Sequence, residues 1–154
     1  SVPLYGDGMQ VRDWLHVDDH ARGLLAAAER GRPGATYLMG GGNELPNRVL
    51  LQELLGHLND VAPGTADYRA LVRHVSDRPG HDRRYAVDST LAETELGWRR
   101  EVPLETGLRE TARWDVENQA WVRGVLERYD LGRLGLTGAA PGPSVSARPE
   151  KPAS

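Results

Sequence analysis

The side chains best suited to chemistry in this sequence are arginines, and they cluster in one short stretch. The segment DRPGHDRRYAVD, residues 77–88, places three arginines and a histidine around a Pro-Gly turn, and Arg12 follows a short extended segment. A guanidinium offers two parallel donors that match two phosphate oxygens, and its charge does not titrate away. The pattern fits a bound diphosphate, and it fits equally well a set of solvated ion pairs with Asp13, Asp77 or Asp82.

Other common catalytic arrangements are not found in the sequence. The chain has no cysteine and its one lysine is Lys151, so a thiolate site or a catalytic lysine in a folded site is excluded within this chain. His16 and His20 are four residues apart, but Val17 stands where a zinc protease needs glutamate, and helix capping explains the neighbouring aspartates. No serine lies in a nucleophile motif. We therefore assign no catalytic, metal-binding or cofactor-binding residue.

The composition limits the possible classes of protein. By its length of 154 residues the chain is one domain or a piece of a larger one, and an apolar content of 39% is low for a self-contained globule. A net charge of -3 argues against a nucleic-acid partner, because binding a phosphate backbone requires a basic surface. No apolar run reaches the length of a membrane span. We expect a soluble cytoplasmic protein with no nucleic-acid or membrane partner.

Short extended segments alternate with amphipathic helices along the chain, which predicts an α/β fold. Helices are predicted within residues 18–31, 45–60, 89–98 and 102–129, and strands within 1–17, 35–44 and 71–88. In the first helix Asp18 is the expected N-cap, and Leu24, Leu25 and Ala28 form an apolar stripe. The GGGN turn at 40–43 lacks the spacing of a dinucleotide-binding loop.

The composition changes towards the C-terminal end of the sequence. Residues 1–130 carry the helical and extended patterns, whereas residues 131–154 are rich in proline, alanine, glycine and serine. A segment of that composition buries too little apolar surface to offset the entropy of ordering it. We predict one folded domain over 1–130 and a disordered tail over 131–154.

Four segments of the chain together resemble one enzyme family. They are PLYGDGMQVRDWLHVDDHARGL, TYLMGGGNELPN, SDRPGHDRRYAVD and LGWRREVPLETGLRETARW. In content, order and spacing they are similar to dTDP-glucose 4,6-dehydratases, which are extended short-chain dehydrogenase/reductases. The resemblance implies the C-terminal substrate-binding part of that α/β fold, with short strands and about four helices, and without most of the Rossmann domain. His16, Gly42, Leu45 and Pro46 depart from the family pattern.

The resemblance also implies where a nucleotide sugar binds. The matching positions are Arg12, Asn47, Asp77, Arg78, Pro79, Gly80 and His81. Arg12 and Arg78 would hold the diphosphate of dTDP-glucose, while Asn47, at a helix start, and His81 would line the pocket for deoxyribose and base. The implied partner is therefore a dTDP-sugar.

The family's catalytic parts have no counterpart in this sequence. Those parts are a glycine-rich NAD loop, a Tyr-x-x-x-Lys pair and an Asp-Glu pair, and none of the five tyrosines here is followed by lysine four residues on. In the full-length family NAD is the cofactor of a redox-neutral dehydration. We expect the chain alone to be catalytically incomplete and to need the Rossmann half, or a partner chain that supplies it. The family dimer forms through that half, so a dimer is left open here.

Two other interpretations stay open on the residues alone. The first is a part of another NDP-sugar epimerase or dehydratase, which nucleotide preference would distinguish. The second is a non-catalytic binding module that acts only with a partner carrying the Rossmann half. Affinity for a nucleotide separates the enzyme interpretations from a module that binds protein alone.

Overall fold

Helices and short strands alternate in the computed structural model, which describes residues 1–128. The strands are β1 Val2–Tyr5, β2 Val11–Asp13, β3 Glu44–Pro46 and β4 Val72–Val75. The helices are α1 Val17–Arg30, α2 Asn47–Val61, α3 Thr90–Leu96, α4 Leu104–Glu117 and α5 Gln119–Arg128, and a 3₁₀ turn covers Tyr68–Leu71. The predicted α/β alternation is confirmed, with five α-helices in the described range instead of about four.

The described chain falls into two units. Ser1–Gln119 form one compact unit, and the residues from Ala120 onward belong to a second. The predicted domain boundary at residue 130 and the predicted tail over 131–154 lie outside the described residues and stay predictions. Across residues 1–128, no helix is both long and apolar enough to cross a bilayer.

The strands form two separate pairs in the larger unit. β1 and β4 are parallel, with Val2 opposite Val72 and Tyr5 opposite Val75. β2 and β3 are antiparallel, with Arg12 opposite Leu45. Because β1 and β4 run in the same direction, the segments that follow them leave the pair at the same end. The segment after Tyr5 and the segment after Val75 are thereby brought side by side.

The main core lies where α1 meets α3 and the residues after it. Ala26, Ala92, Leu96 and Trp98 are buried against one another. The indole Nε1–H of Trp98 donates to the backbone carbonyl oxygen of Asp19 at 2.8 Å, so the polar edge of this large side chain is satisfied inside the core.

The face of α1 that packs inward is not the predicted apolar stripe. Asp19, Gly23 and Ala26 are buried, whereas Leu24 and Leu25 are 57% and 63% exposed. Helical spacing identifies an apolar face, but it does not tell whether that face meets a partner within the same chain. The apolar stripe that contains Leu24 and Leu25 is therefore present in the sequence but lies exposed in this unit.

Three other local predictions are corrected. His16 and not Asp18 caps α1, since its Nδ1 accepts from the backbone N–H of Asp18 at 3.3 Å. Residues 35–43 form no strand, because no strand within the described range lies alongside to pair with them. The expected long helix over 102–129 is divided at Asn118, whose Nδ2 donates to the Trp114 carbonyl oxygen at 2.8 Å and competes with the backbone.

One buried carboxylate joins α1 to the segment before α4. Asp19 is 1% exposed, and its two oxygens accept from the backbone N–H groups of Glu101 at 2.9 Å and Val102 at 3.1 Å. The Arg22 guanidinium, one helical turn along, pairs with the same carboxylate. Burial opposes ionisation of Asp19, but the two N–H groups and the guanidinium outweigh it and hold its pKa below the usual range.

Asp19→Asn should therefore lower the free energy of unfolding by about 1–3 kcal/mol, since an amide cannot accept from all three donors. A depressed folded-state pKa contributes stability above the unfolded value of about 3.9, and that stability is lost as the pH falls through the folded pKa. The difference from wild type should shrink accordingly in acid. Urea unfolding at several pH values measures it, with the exposed neighbour Asp18→Asn as the matched control. Equal effects of the two substitutions would contradict the anchoring role.

Candidate functional site

The parallel strand pair brings two distant segments together. Beyond β1, the N–H of Gly6 donates to the carbonyl oxygen of Val75 at 2.9 Å. Further on, the N–H of Val11 donates to the Arg83 carbonyl at 2.8 Å, and the N–H of Tyr85 donates to the Val11 carbonyl at 3.0 Å. The loop at residues 77–84, called the site loop below, is therefore docked along the stretch from Gly6 to β2. It contains five of the seven predicted site residues.

Asp77 is the centre of the site loop. Its Oδ1 accepts from the Arg78 backbone N–H at 2.8 Å and lies 2.7 Å from His81 Nδ1, and its Oδ2 accepts from Gln10 Nε2 at 2.7 Å. The hydrogen bond from His81 is the main reason that the pKa of Asp77 is below its usual range. Because a carboxylate only accepts, Nδ1 of His81 carries the proton, and Nε2 is left for other partners.

A glycine makes room for this carboxylate. Gly6 has φ of 59°, a conformation that residues with a Cβ rarely adopt. A Cβ built on it would lie 2.9 Å from Asp77 Oδ2. Gly6 therefore allows the site loop to approach the segment after β1.

The arginines around the site loop fall into two kinds. Arg83 pairs with Asp7 at 3.1 Å, and Arg84 makes two hydrogen bonds to Glu44, at 2.7 and 2.9 Å. The sequence left open that the arginines form ion pairs with neighbouring aspartates. Two of them do form ion pairs, but their partners are Asp7 and Glu44. In the described residues, the carboxylates of Asp13, Asp77 and Asp82 form no ion pair with an arginine.

Arg12 and Arg78 have no carboxylate partner among residues 1–128. The Arg12 guanidinium donates to the backbone carbonyl oxygens of Val11 at 2.7 Å and Asp82 at 3.0 Å. It lies 5.8 Å from the centre of the Tyr85 ring, so it is held in place with its charge uncompensated. Arg78 is exposed, and the turn at Pro79 and Gly80 beside it is exposed too.

Asn47 lies on the other side of β2, at the start of α2. Its backbone N–H donates to the carbonyl oxygen of Gln10 at 3.0 Å. Gln10 itself is only 3% exposed, and it contacts Asp77 as described above. Sequence reasoning missed Gln10, because nothing in one sequence distinguishes a buried amide in an extended segment from an exposed one.

The Gly40–Asn43 turn does not fit a dinucleotide phosphate. Such a loop needs free N–H groups, yet here the N–H of Gly40 donates to Ser89 Oγ at 2.7 Å and that of Asn43 to Asp13 Oδ1 at 3.0 Å. A Cβ on Gly41 would lie 1.6 Å from the Trp14 carbonyl oxygen, so these glycines serve close packing. The described residues offer no NAD site here.

A concavity of about 450 Å³ is lined largely by apolar side chains of α2 and α4 and of the segments around them. None of the seven predicted site residues lines it. Its buried acid, Asp19, is already engaged by backbone N–H groups. This concavity therefore contributes no residue to the candidate site around Arg12 and Arg78.

Comparison with known proteins settles the family. The family model described as GDP-mannose 4,6 dehydratase matches residues 1–111. A probable dTDP-glucose 4,6-dehydratase from Sinorhizobium fredii is 45% identical over 136 residues, and a dTDP-glucose 4,6-dehydratase from Neisseria meningitidis is 46% identical over 142 residues. The chain belongs to the dTDP-glucose 4,6-dehydratase family. The resemblance seen in the sequence is thus confirmed.

The match to the family covers most of this chain but a minor part of its relatives. The two relatives align with 88% and 87% of this chain, which spans 39% of the length of each.

Two solved structures resemble the fold of this chain. DesIV, a dTDP-glucose 4,6-dehydratase from Streptomyces venezuelae solved with NAD and TYD bound, is 47% identical with a TM-score of 0.69, over 79% of this chain and 35% of DesIV. UDP-glucose 4-epimerase from Thermotoga maritima, solved with UDP-glucose, is 29% identical with a TM-score of 0.64, over 77% of this chain and 36% of the epimerase. The dehydratase is the more similar in sequence.

The hydrogen bond from His81 predicts how Asp77 titrates. Because its folded-state pKa is depressed, Asp77 contributes to the stability of the site loop above its unfolded pKa, and the contribution is lost as the pH falls through the folded pKa. In His81→Ala the titration midpoint of Asp77 should rise towards the usual range, as followed by the ¹³C shift of its carboxyl carbon. Arg113→Ala is the control, since it removes an exposed arginine of α4 outside the site and should leave the Asp77 midpoint unchanged. An Asp77 midpoint unmoved by His81→Ala would disprove the assignment.

Proposed function

We propose that this chain supplies the dTDP-sugar-binding part of a dTDP-glucose 4,6-dehydratase, with Arg12 and Arg78 on the diphosphate. One observation carries the proposal. Of the four arginines at the site loop, the two that family resemblance assigns to the ligand are the two without a carboxylate partner in the described residues. An anion that binds there replaces no existing ion pair.

The geometry supports different roles for the two arginines. Arg12 is preorganised by two carbonyl oxygens and the Tyr85 ring, so little side-chain entropy remains to be lost when it binds. Arg78 sits on the exposed turn and can extend towards an incoming phosphate, while its backbone N–H is fixed by Asp77. His81 Nε2 and the Asn47 side chain then face the nucleoside part of the proposed ligand.

The reaction of the whole enzyme needs residues that this chain does not have. The DesIV relative carries NAD, but the Gly40–Asn43 turn does not fit that cofactor. We place NAD and the dehydration chemistry on a Rossmann half, within one longer protein or on a partner chain. A cytoplasmic location stays a prediction from the composition.

Calorimetric titration of dTDP into the 154-residue chain tests the binding proposal. Saturable binding should be seen, with weaker binding of UDP, because the family preference is for a thymidine nucleotide. Arg78→Ala should weaken dTDP binding roughly ten- to a hundredfold, since a hydrogen bond to a charged group is lost.

The control for that experiment is Arg113→Ala, which removes an exposed arginine of α4 outside the proposed site. It should bind dTDP like wild type. Preference for UDP would favour another NDP-sugar enzyme. A folded chain that binds neither nucleotide, but binds another protein, would favour the non-catalytic module.

The chain alone should not turn over dTDP-glucose, because no tyrosine in it is followed by lysine four residues on. The 4-keto-6-deoxy product can be followed by its absorbance in alkali, with a complete dehydratase as the positive control. Turnover by the purified chain, retained after removal of trace contaminants, would refute the proposed division of labour.

A further inference from the structure

Gln10 is a buried amide with one end engaged and one end free. Its side chain is 3% exposed, and its Nε2 donates to Asp77 Oδ2 at 2.7 Å. Its Oε1 is buried and has no hydrogen-bond partner in the part of the chain that the structure describes. Buried amide oxygens are nearly always paired, so an unpaired one needs an explanation.

The chemistry of Asp77 fixes the orientation of this amide. An ionised carboxylate has no proton to give, so the end of Gln10 that faces it must be the NH₂ group. Turning the amide over would put its oxygen against the carboxylate and lose the bond to Asp77. The free end is therefore an acceptor, and only a hydrogen-bond donor can satisfy it.

A second unpaired acceptor lies on the neighbouring residue in the fold. The Asn47 backbone N–H donates to the Gln10 carbonyl oxygen at 3.0 Å, and Asn47 Oδ1 is likewise buried without a partner in the described residues. Gln10 thus connects the start of α2 with the site loop. Both residues present carbonyl oxygens of the same chemical kind.

We propose that Gln10 is a positioning residue of the nucleotide site. Through Asp77 it holds the site loop, including His81, and its Oε1, together with Asn47 Oδ1, accepts from a donor on the nucleotide. The donor is a sugar hydroxyl or the imide N–H of the base. The ligand part of this inference rests on the proposed function, whereas the hold on the site loop does not.

The hold on the site loop is tested in the free 154-residue chain by amide hydrogen exchange. Gln10→Ala should raise exchange severalfold at the amides of Arg78 and Tyr85, whose N–H groups donate to Asp77 Oδ1 and the Val11 carbonyl oxygen. Gln52→Ala, at an exposed glutamine of α2, should leave exchange there unchanged. Gln10→Glu has nearly the same shape but sets a second carboxylate against Asp77. It should loosen the loop at neutral pH and recover protection in acid, once the two carboxyl groups share a proton.

The acceptor role is tested by titrating three nucleotides into wild type and Gln10→Ala. They are dTDP, its 3′-deoxy analogue and its N3-methyl analogue, which lack the hydroxyl donor and the imide donor respectively. For dTDP the substitution should cost about tenfold in affinity, equivalent to one hydrogen bond. The cost should be smaller for the analogue that lacks the donor bound by Gln10, which identifies that donor.

The outcomes separate the two proposals. Unchanged loop exchange in both Gln10 variants, with their melting curves intact, overturns the positioning role. An equal loss of affinity for all three nucleotides overturns the acceptor role. If wild type binds no dTDP, the proposed function and the acceptor role both fail, while raised exchange in Gln10→Ala still supports the hold on the site loop.

Discussion

A single buried charge, the carboxylate of Asp19, determines how the helices of the larger unit are connected. An ionised group in the interior is costly unless every lone pair has a donor, and here the donors come from the backbone at Glu101 and Val102 and from Arg22. The course of the chain into α4 is therefore set by an electrostatic requirement. Together with the Trp98 indole on the Asp19 carbonyl, it fixes α1 against the residues that lead to α4.

At the candidate site, by contrast, some charged side chains are paired with an opposite charge and others are not. At the site loop, Arg83 and Arg84 are neutralised and serve to attach the loop, whereas Arg12 is fixed by neutral carbonyl oxygens and keeps its charge available. Asp77 accepts from His81 and shapes the loop. Paired charges thus attach the site loop, and the arginines without a carboxylate partner are the ones to which we assign the proposed anion.

Much of the fold and part of the site were predictable from the sequence, and the limit is a physical one. Helices such as α2 follow from local spacing, and the site loop from a motif whose residue types match its chemistry. The exposure of Leu24 and the absence of a strand at 35–43 in the described chain depend on what lies alongside each segment, which local spacing does not record. The contact of Gln10 with Asp77 joins residues 67 positions apart, and a single sequence carries no signal for that pairing.

The same separation along the chain has a kinetic consequence. The contacts that build the site loop, Gln10 with Asp77, Arg12 with Asp82 and Arg83 with Asp7, span 67, 70 and 76 residues. Contacts so remote in sequence form slowly, since the intervening chain must be ordered before they contribute. On the ribosome, α1 and α2 can form before the site loop, which contacts residues 7–12, has been synthesised. The site loop is thus expected to be among the last features of the described chain to form during folding.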